Sequence, residues 1–432
     1  MNEIQDPSES FCVLPWMHIF ADERGIIFPC CRINNKFPNV DDETGRPHQI
    51  QDENALENAW NSNYMRTLRL DMLNGLRPEA CARCYMYDDL GMRSQRQIDN
   101  DHHRARIPAL IAQTKADGWA PLDLRTVDLR LGNLCNLRCR MCSPQASKAL
   151  IGEWASFYDV SPHHPNLENF WHQEWFADEN FWQIFEKHTA NIERLHFAGG
   201  EPLLIPQMFD FLERLIELGR ASKIFVSYNT NLTILPERIL DLWPHFRKVR
   251  VTVSLDGFDQ VNAYIRHPAH WPTLDRHLHI LDAQADQLNL KGGVGINTTV
   301  QVYNIFRLDE HIKYLATSFQ RIEAPNLTIL SYPEHFNIRL LPPQMKASAA
   351  ERLRYFTDTF AGSWPDHWQG ASLIKLHKAI DGIVEHMDGE STEDALLQFR
   401  RWSEHFDQTR GQHVLDVIPE LAPLFEGVHE GA

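Results

Sequence analysis

From residue 123 onward, short apolar runs rich in β-branched residues alternate with stretches of helical spacing. Thr126-Val127-Asp128-Leu129-Arg130-Leu131 reads as a strand, as do Arg194-Leu195-His196-Phe197-Ala198 and Lys223-Ile224-Phe225-Val226-Ser227-Tyr228. Val249 to Leu255, Val294 to Val302 and Leu327 to Ser331 give three more. Each is bounded by turn residues. Between them, Met208, Phe211, Leu212, Leu215, Ile216 and Leu218 follow the 3–4 spacing of a helix face, and Leu274, Leu278, Leu281 and Leu288 follow it more loosely. Six strand–helix units predict an α/β fold with parallel strands and right-handed crossovers. Six units, rather than eight, predict an open, partial (β/α)6 TIM-like barrel. Such folds carry their chemistry at the carboxyl ends of the strands.

The first unit holds a long insertion, residues 151–185, with Trp154, Trp171, Trp175 and Trp182. It could wall a substrate, but burial against the barrel is the expected use of so much aromatic area. From about residue 342 the pattern turns helical, as in Ala349-Ala350-Glu351-Arg352-Leu353 and Ala395-Leu396-Leu397-Gln398-Phe399, until Pro419 and Pro423 break it. No repeats or low-complexity tracts occur.

Composition narrows the class. At 43% hydrophobic and 23% charged residues the chain can build a sizeable core. The formal charge of −16 argues against a surface that coats nucleic acid, since phosphate contacts need clustered Lys and Arg. No apolar stretch is long enough to span a membrane, and the first residues lack a cationic, apolar leader. A cytoplasmic protein is expected. The eight Cys then read as metal ligands rather than disulfides. The 22 His show no regular spacing.

Cys135, Cys139 and Cys142 form C-x3-C-x2-C directly after the first strand. Three thiolates in so short a loop can hold three corners of a [4Fe–4S] cube and leave one iron open. An open metal position is what distinguishes a catalytic site from a structural one. A zinc finger would want a fourth ligand at finger spacing, a ferredoxin would use C-x2-C-x2-C-x3-C, and a disulfide reading fails on geometry and on an odd count. After the second strand stands Gly199-Gly200-Glu201-Pro202. Two glycines let backbone approach a ligand closely, and the carboxylate can accept hydrogen bonds from an ammonium group. The third and fourth strands end in Ser227-Tyr228-Asn229-Thr230-Asn231 and Ser254-Leu255-Asp256-Gly257, polar groups suited to a ribose or a carboxylate.

Taken in this order, the cysteine loop and the Gly-Gly-Glu-Pro turn resemble the signature of radical S-adenosylmethionine (radical SAM) enzymes. The resemblance implies that Cys135, Cys139 and Cys142 hold a [4Fe–4S] cluster. It implies that Gly199, Gly200, Glu201 and Pro202 grip the methionine amino group of SAM. Asn229 and Ser254 are expected to contact SAM, and Arg266 its carboxylate. One departure is Met141, which stands where the family has an aromatic residue beside the adenine; Met can supply the same packing.

The remaining five cysteines precede the barrel, as Cys12, Gly25, Cys30-Cys31 and Cys81-Ala82-Arg83-Cys84. The pattern C-x12-G-x4-C followed by C-x2-C resembles the auxiliary-cluster modules called twitch and SPASM. Five thiols can saturate one such cluster, so twitch is the better match, with Cys12, Cys30, Cys81 and Cys84 as ligands and Cys31 spare. The module here stands ahead of the barrel instead of behind it. A structural Zn(Cys)4 site is the competing reading. The expected organisation is residues 1–122 as auxiliary module and linker, 123–341 as the radical SAM partial barrel, and 342–432 as a helical C-terminal region.

The resemblance further implies that SAM is cleaved reductively to a 5′-deoxyadenosyl radical, which takes a hydrogen atom from the substrate. A saturated auxiliary cluster would carry off the electron left behind, so an oxidative modification is expected, with a peptide or protein as substrate. A small metabolite or sugar, undergoing dehydrogenation or epimerisation, is the alternative; for epimerisation Cys31 is the candidate hydrogen donor. A non-catalytic iron–sulfur or zinc scaffold is the second alternative. An electron donor such as flavodoxin or ferredoxin is the implied partner, with no nucleic acid and no membrane.

Overall fold

The computed structural model describes residues 8–34, 36–41, 43–360, 362–392 and 394–426. The chain is α/β and groups into two compact units. One comprises residues 1–134, 172–227 and 245–247; the other comprises 135–171, 228–244 and 248–432.

In the first unit the strands are β1 (His18–Ala21), β2 (Ile27–Phe28), β3 (Thr126–Leu131) and β4 (Arg194–Gly199), in the order β2-β1-β3-β4. β1 and β2 pair antiparallel, whereas β1 with β3 and β3 with β4 pair parallel. β3 and β4 lie where the hydrophobic pattern predicts them. β1 and β2 were not anticipated: four residues and two residues are too short to show a periodicity. β1 nonetheless runs parallel to β3, so residues from the cysteine-rich N-terminal segment extend the same strand array. Asp22, Gly25 and Ile26 close the turn between β1 and β2, with Gly25 at φ +80°. A Cβ at Gly25 would come within 2.7 Å of Gln51 Oε1, so the conformation and the space both favour glycine.

β5 (Phe225–Thr230) carries the chain from the first unit into the second. There β6 (Lys248–Ser254), β7 (Val294–Val300) and β8 (Asn326–Ile329) run parallel in that order. All six strands read from the sequence are present within a few residues of their expected bounds. The helix Pro206–Glu217 buries Met208, Phe211, Leu212 and Leu215, and the helix Trp271–Ala283 buries Leu274, Leu278 and Leu281. The C-terminal segment is helical over Pro343–Phe360, Ala371–Met387 and Ala395–Arg410.

Fully buried parallel strands normally read as continuous apolar runs. These alternate. In the first unit Val127, Leu129, Leu131, Leu195 and Phe197 are buried on one face, while Asp128, Arg130, Arg194 and His196 share the other. In the second, Val249, Val251 and Val253 alternate with Arg250, Thr252 and Ser254. Each unit therefore presents one greasy and one polar strand face. Of the insertion's tryptophans, Trp175 and Trp182 are buried, while Trp154 and Trp171 are half-buried. Trp182 lies against Phe211 in the first unit, and Trp154 against Trp402 in the second.

Candidate functional site

Residues 132–134 lead from β3 toward Cys135, and the turn after β4 packs directly on them. Gly200 N donates to Gly132 O at 3.0 Å and Glu201 N to Leu134 O at 2.8 Å. A Cβ at Gly200 would lie 2.2 Å from Leu134 O, so only glycine allows this approach. Glu201 is fully buried, and its Oε1 accepts from Leu203 N at 3.0 Å, capping the helical turn Pro202–Leu204.

In the second unit, Cys139, Leu137 and Ala269 form a small buried cluster, with Cys135, Met141 and Cys142 packed against it. The three thiols are close neighbours. Cys139 and Cys142 act on each other as a pair, which holds Cys139 below and, together with burial, Cys142 above the usual thiol range. The loop's backbone is pinned by the segment after the helix Gln260–Ile265: Arg138 N donates to His267 O at 2.6 Å and Arg140 N to Ile265 O at 2.9 Å. Ser147 Oγ donates to Leu137 O at 2.7 Å.

N–H groups point at the sulfurs. Leu137 N lies 3.4 Å from Cys135 Sγ, Asn231 Nδ2 lies 3.8 Å from the same atom, and Arg266 Nη1 lies 3.9 Å from Cys139 Sγ. Arg266 is buried and paired with Asp256, Nε to Oδ2 at 2.8 Å. Among the described residues no group of three or more His, Cys, Asp or Glu is arranged to hold a single metal ion. A cube instead takes each thiolate on its own iron, and donors to the ligand sulfurs stabilise the charge it brings. The three thiols with their N–H donors fit such a cluster.

The sequence-predicted residues of this unit are thus distributed. Cys135, Cys139, Cys142, Met141 and Arg266 come together. Ser254 closes β6, and Asn229 lines a polar cavity with Arg250, Asn297, Glu323, Asn326 and Lys375. Sequence reasoning passed over Asn231 and Asp256, although both stand in the strand-end segments it had singled out.

The other thiols belong to the first unit. Cys12, Cys30, Cys81 and Cys84 line one cavity, together with Leu14, Arg32, Ile33, Gln95 and Arg96. Burial raises Cys12, Cys30 and Cys81, and each is raised further by the charge of its thiol neighbours. Cys31 is not among the lining residues. Its residue surface is exposed, and it feels the charge of Asp128 on β3, whose carboxylate burial raises against the opposing pull of His196 and Arg130. The thiol itself is packed among protein atoms, and this enclosure, with the Asp128 charge, pushes it up to about 11.

Residues 129–315 match the family model described as the Radical SAM superfamily. That span is similar to a radical SAM domain. The match begins within β3, takes in the cysteine loop and the Gly-Gly-Glu-Pro turn, and ends in the helix Leu308–Ser318. It supports an enzyme of the radical SAM class, and the superfamily implies SAM and a [4Fe–4S] cluster. No curated protein matches the chain. Among solved structures, anSMEcpe with bound AdoMet and a Cp18Cys peptide is similar at 14% identity, over 54% of this chain and 59% of that one, with a TM-score of 0.33. SuiB of Streptococcus suis bound to S-adenosylmethionine is similar at 12% identity, over 82% and 69% of the two chains, with a TM-score of 0.34. TYW1 with a lysine–pyruvate adduct bound follows at 12% identity, 53% and 72%, and 0.27. The aligned region is thus less than two thirds of the anSMEcpe chain. A likeness at this level says nothing of substrate or chemistry. No helix among the described residues is long and apolar enough to cross a membrane.

Proposed function

We propose that the chain is a radical SAM enzyme with a second, auxiliary [4Fe–4S] cluster, which oxidatively modifies a peptide or protein. In this reading residues 1–122 contribute the auxiliary module, 123–341 the partial (β/α)6 barrel, and 342–432 a helical addition. Cys135, Cys139 and Cys142 would hold the first cluster. Gly199, Gly200, Glu201 and Pro202 would hold the amino end of SAM, with Asn229 and Ser254 on its polar groups and Met141 beside the adenine. When bound, the cluster and SAM supply the radical that removes a hydrogen atom from the substrate. The chain's own task is to hold the reactants in register and keep water and stray donors away.

The observation that carries the auxiliary cluster is the cavity shared by Cys12, Cys30, Cys81 and Cys84, which Cys31 does not line. Four thiolates saturate a cube, leaving it no open iron. Its use is then to take up an electron, which fits an oxidative outcome and an external carrier such as flavodoxin or ferredoxin. Ligation requires thiolates, so loading these raised thiols would release protons.

Anaerobic reconstitution and iron counting test this. We expect about eight iron atoms per chain in the wild type and in Cys31→Ser, and about four in Cys84→Ser. About four iron atoms with one zinc in the wild type would instead support a structural Zn(Cys)4 site.

A further inference from the structure

The cysteine loop has one arginine in each of its two inter-cysteine segments, and both lead to the same helix. Arg140, between Cys139 and Cys142, is almost fully buried. Its Nη2 donates to Asp407 Oδ1 at 2.6 Å and to Gln412 Oε1 at 3.1 Å, and its Nε donates to Tyr264 O at 3.0 Å. Its guanidinium lies 3.6 Å from the centre of the Tyr264 ring, and the Tyr264 hydroxyl donates to Asp407 Oδ1 at 2.9 Å. Asp407 Oδ2 accepts from Val414 N at 2.8 Å. Arg138, between Cys135 and Cys139, donates to Glu153 Oε1 at 2.8 Å, and Arg410 donates to Glu153 Oε2 at 2.7 Å. His405 Nε2 meets Glu153 O at 2.8 Å.

Asp407 and Arg410 lie three residues apart on the helix Ala395–Arg410, hence on one face. The helix stands far beyond the matched residues 129–315. Gly411 ends it at φ +61°, which turns the chain so that Gln412 and Val414 come back to the same carboxylate and guanidinium.

We propose that Asp407 and Arg410 are positioning residues for the cluster loop, acting through Arg140 and Glu153. Buried ion pairs bring little net stability, because desolvation offsets the attraction; what they fix is geometry. Here the geometry is that of the three thiolates. Each inter-cysteine segment is tied by its arginine as well as by its backbone, so the sulfurs stand in their ligating arrangement before iron arrives. The C-terminal region is on this account part of the cluster-binding apparatus. The inference rests on Cys135, Cys139 and Cys142 holding the SAM-binding cluster, as proposed above.

The test uses the reconstituted full-length chain reduced with dithionite, without SAM and then with it. In Asp407→Asn the carboxylate's charge is gone but its size remains. We expect the EPR signal of the reduced SAM-binding cluster to broaden or split into several species, and the rate of 5′-deoxyadenosine release to fall at least tenfold with KM for SAM within twofold. Glu420→Gln serves as comparison, since Glu420 pairs with Arg307 and Arg352 and touches no residue of the loop. It should lower Tm and leave the EPR signal unchanged. Should Asp407→Asn not fold, Tyr264→Phe, which loses only the hydroxyl on Asp407, is expected to show the same broadening in milder form. A wild-type EPR signal and rate in the folded variant, or the same broadening in Glu420→Gln, would overturn the proposal. A wild type that binds the cluster yet releases no 5′-deoxyadenosine would overturn the functional reading and leave the EPR comparison standing.

Discussion

Arg266 carries a positive charge into a place with almost no water, between the Asp256 carboxylate and the Cys139 thiol. The resemblance places it on the carboxylate of SAM; in the structure its Nε pairs with Asp256 and its Nη1 points to the Cys139 sulfur. A cation beside a ligand sulfur favours the more negative, reduced state of a cluster. We therefore expect Arg266→Met to lower the midpoint potential of the SAM-binding cluster by about 60 mV or more, a tenfold shift for one electron. Arg266→Lys keeps the charge and should shift it less. A spectroelectrochemical titration reads both, and an unchanged potential in Arg266→Met would refute the assignment. At the same scale, the spacing from Gly25 singled out Cys30 over Cys31, and Cys30 is the one that lines a cavity with Cys12, Cys81 and Cys84. That Cys31 would feel the Asp128 charge was not legible, because it depends on β1 pairing with β3.

The strand–turn elements were the most legible part of the chain. β3, β4 and β6 follow from β-branched runs, and their exits carry Gly132, Gly199-Gly200 and Ser254. What went unread was the alternation inside those runs. Arg-Leu-His-Phe and Val-Arg-Val-Thr-Val-Ser alternate polar and apolar residues, and the polar positions form a second strand face in each unit. β1 was missed because four residues pair only when an edge is offered to them. The turn after β4 yields a direct prediction. Gly200→Ala drives a methyl against the Leu134 carbonyl and should weaken SAM binding at least tenfold, about 1.4 kcal/mol, by equilibrium dialysis on the reconstituted chain. Gly152→Ala, in the helix Ile151–Phe157 with open space around it, should leave SAM binding unchanged and stabilise the chain by up to about 1 kcal/mol. Equal SAM affinity in the two variants would show that the turn does not need its close approach.

For the whole molecule, buried histidines couple stability to pH. His311 is fully buried, with Nε2 3.0 Å from Thr298 Oγ1, and burial lowers its pKa to about 3. The unfolded chain binds a proton there below about 6.5, the folded chain only below about 3. Between those values unfolding takes up a proton, so stability rises with pH and is lost on acidification, with a slope of up to about 1.4 kcal/mol per unit. His311→Gln should flatten the urea-unfolding profile between pH 6.5 and pH 4, limits of about that window. A parallel profile would place the acid sensitivity elsewhere. The central claim, that this chain opens SAM to make a radical, is tested most directly by one assay. The anaerobically reconstituted chain is given SAM and dithionite, and 5′-deoxyadenosine is measured by chromatography. We predict its release by the wild type and its loss in Cys139→Ala. A chain that holds its full iron and releases none would contradict the account.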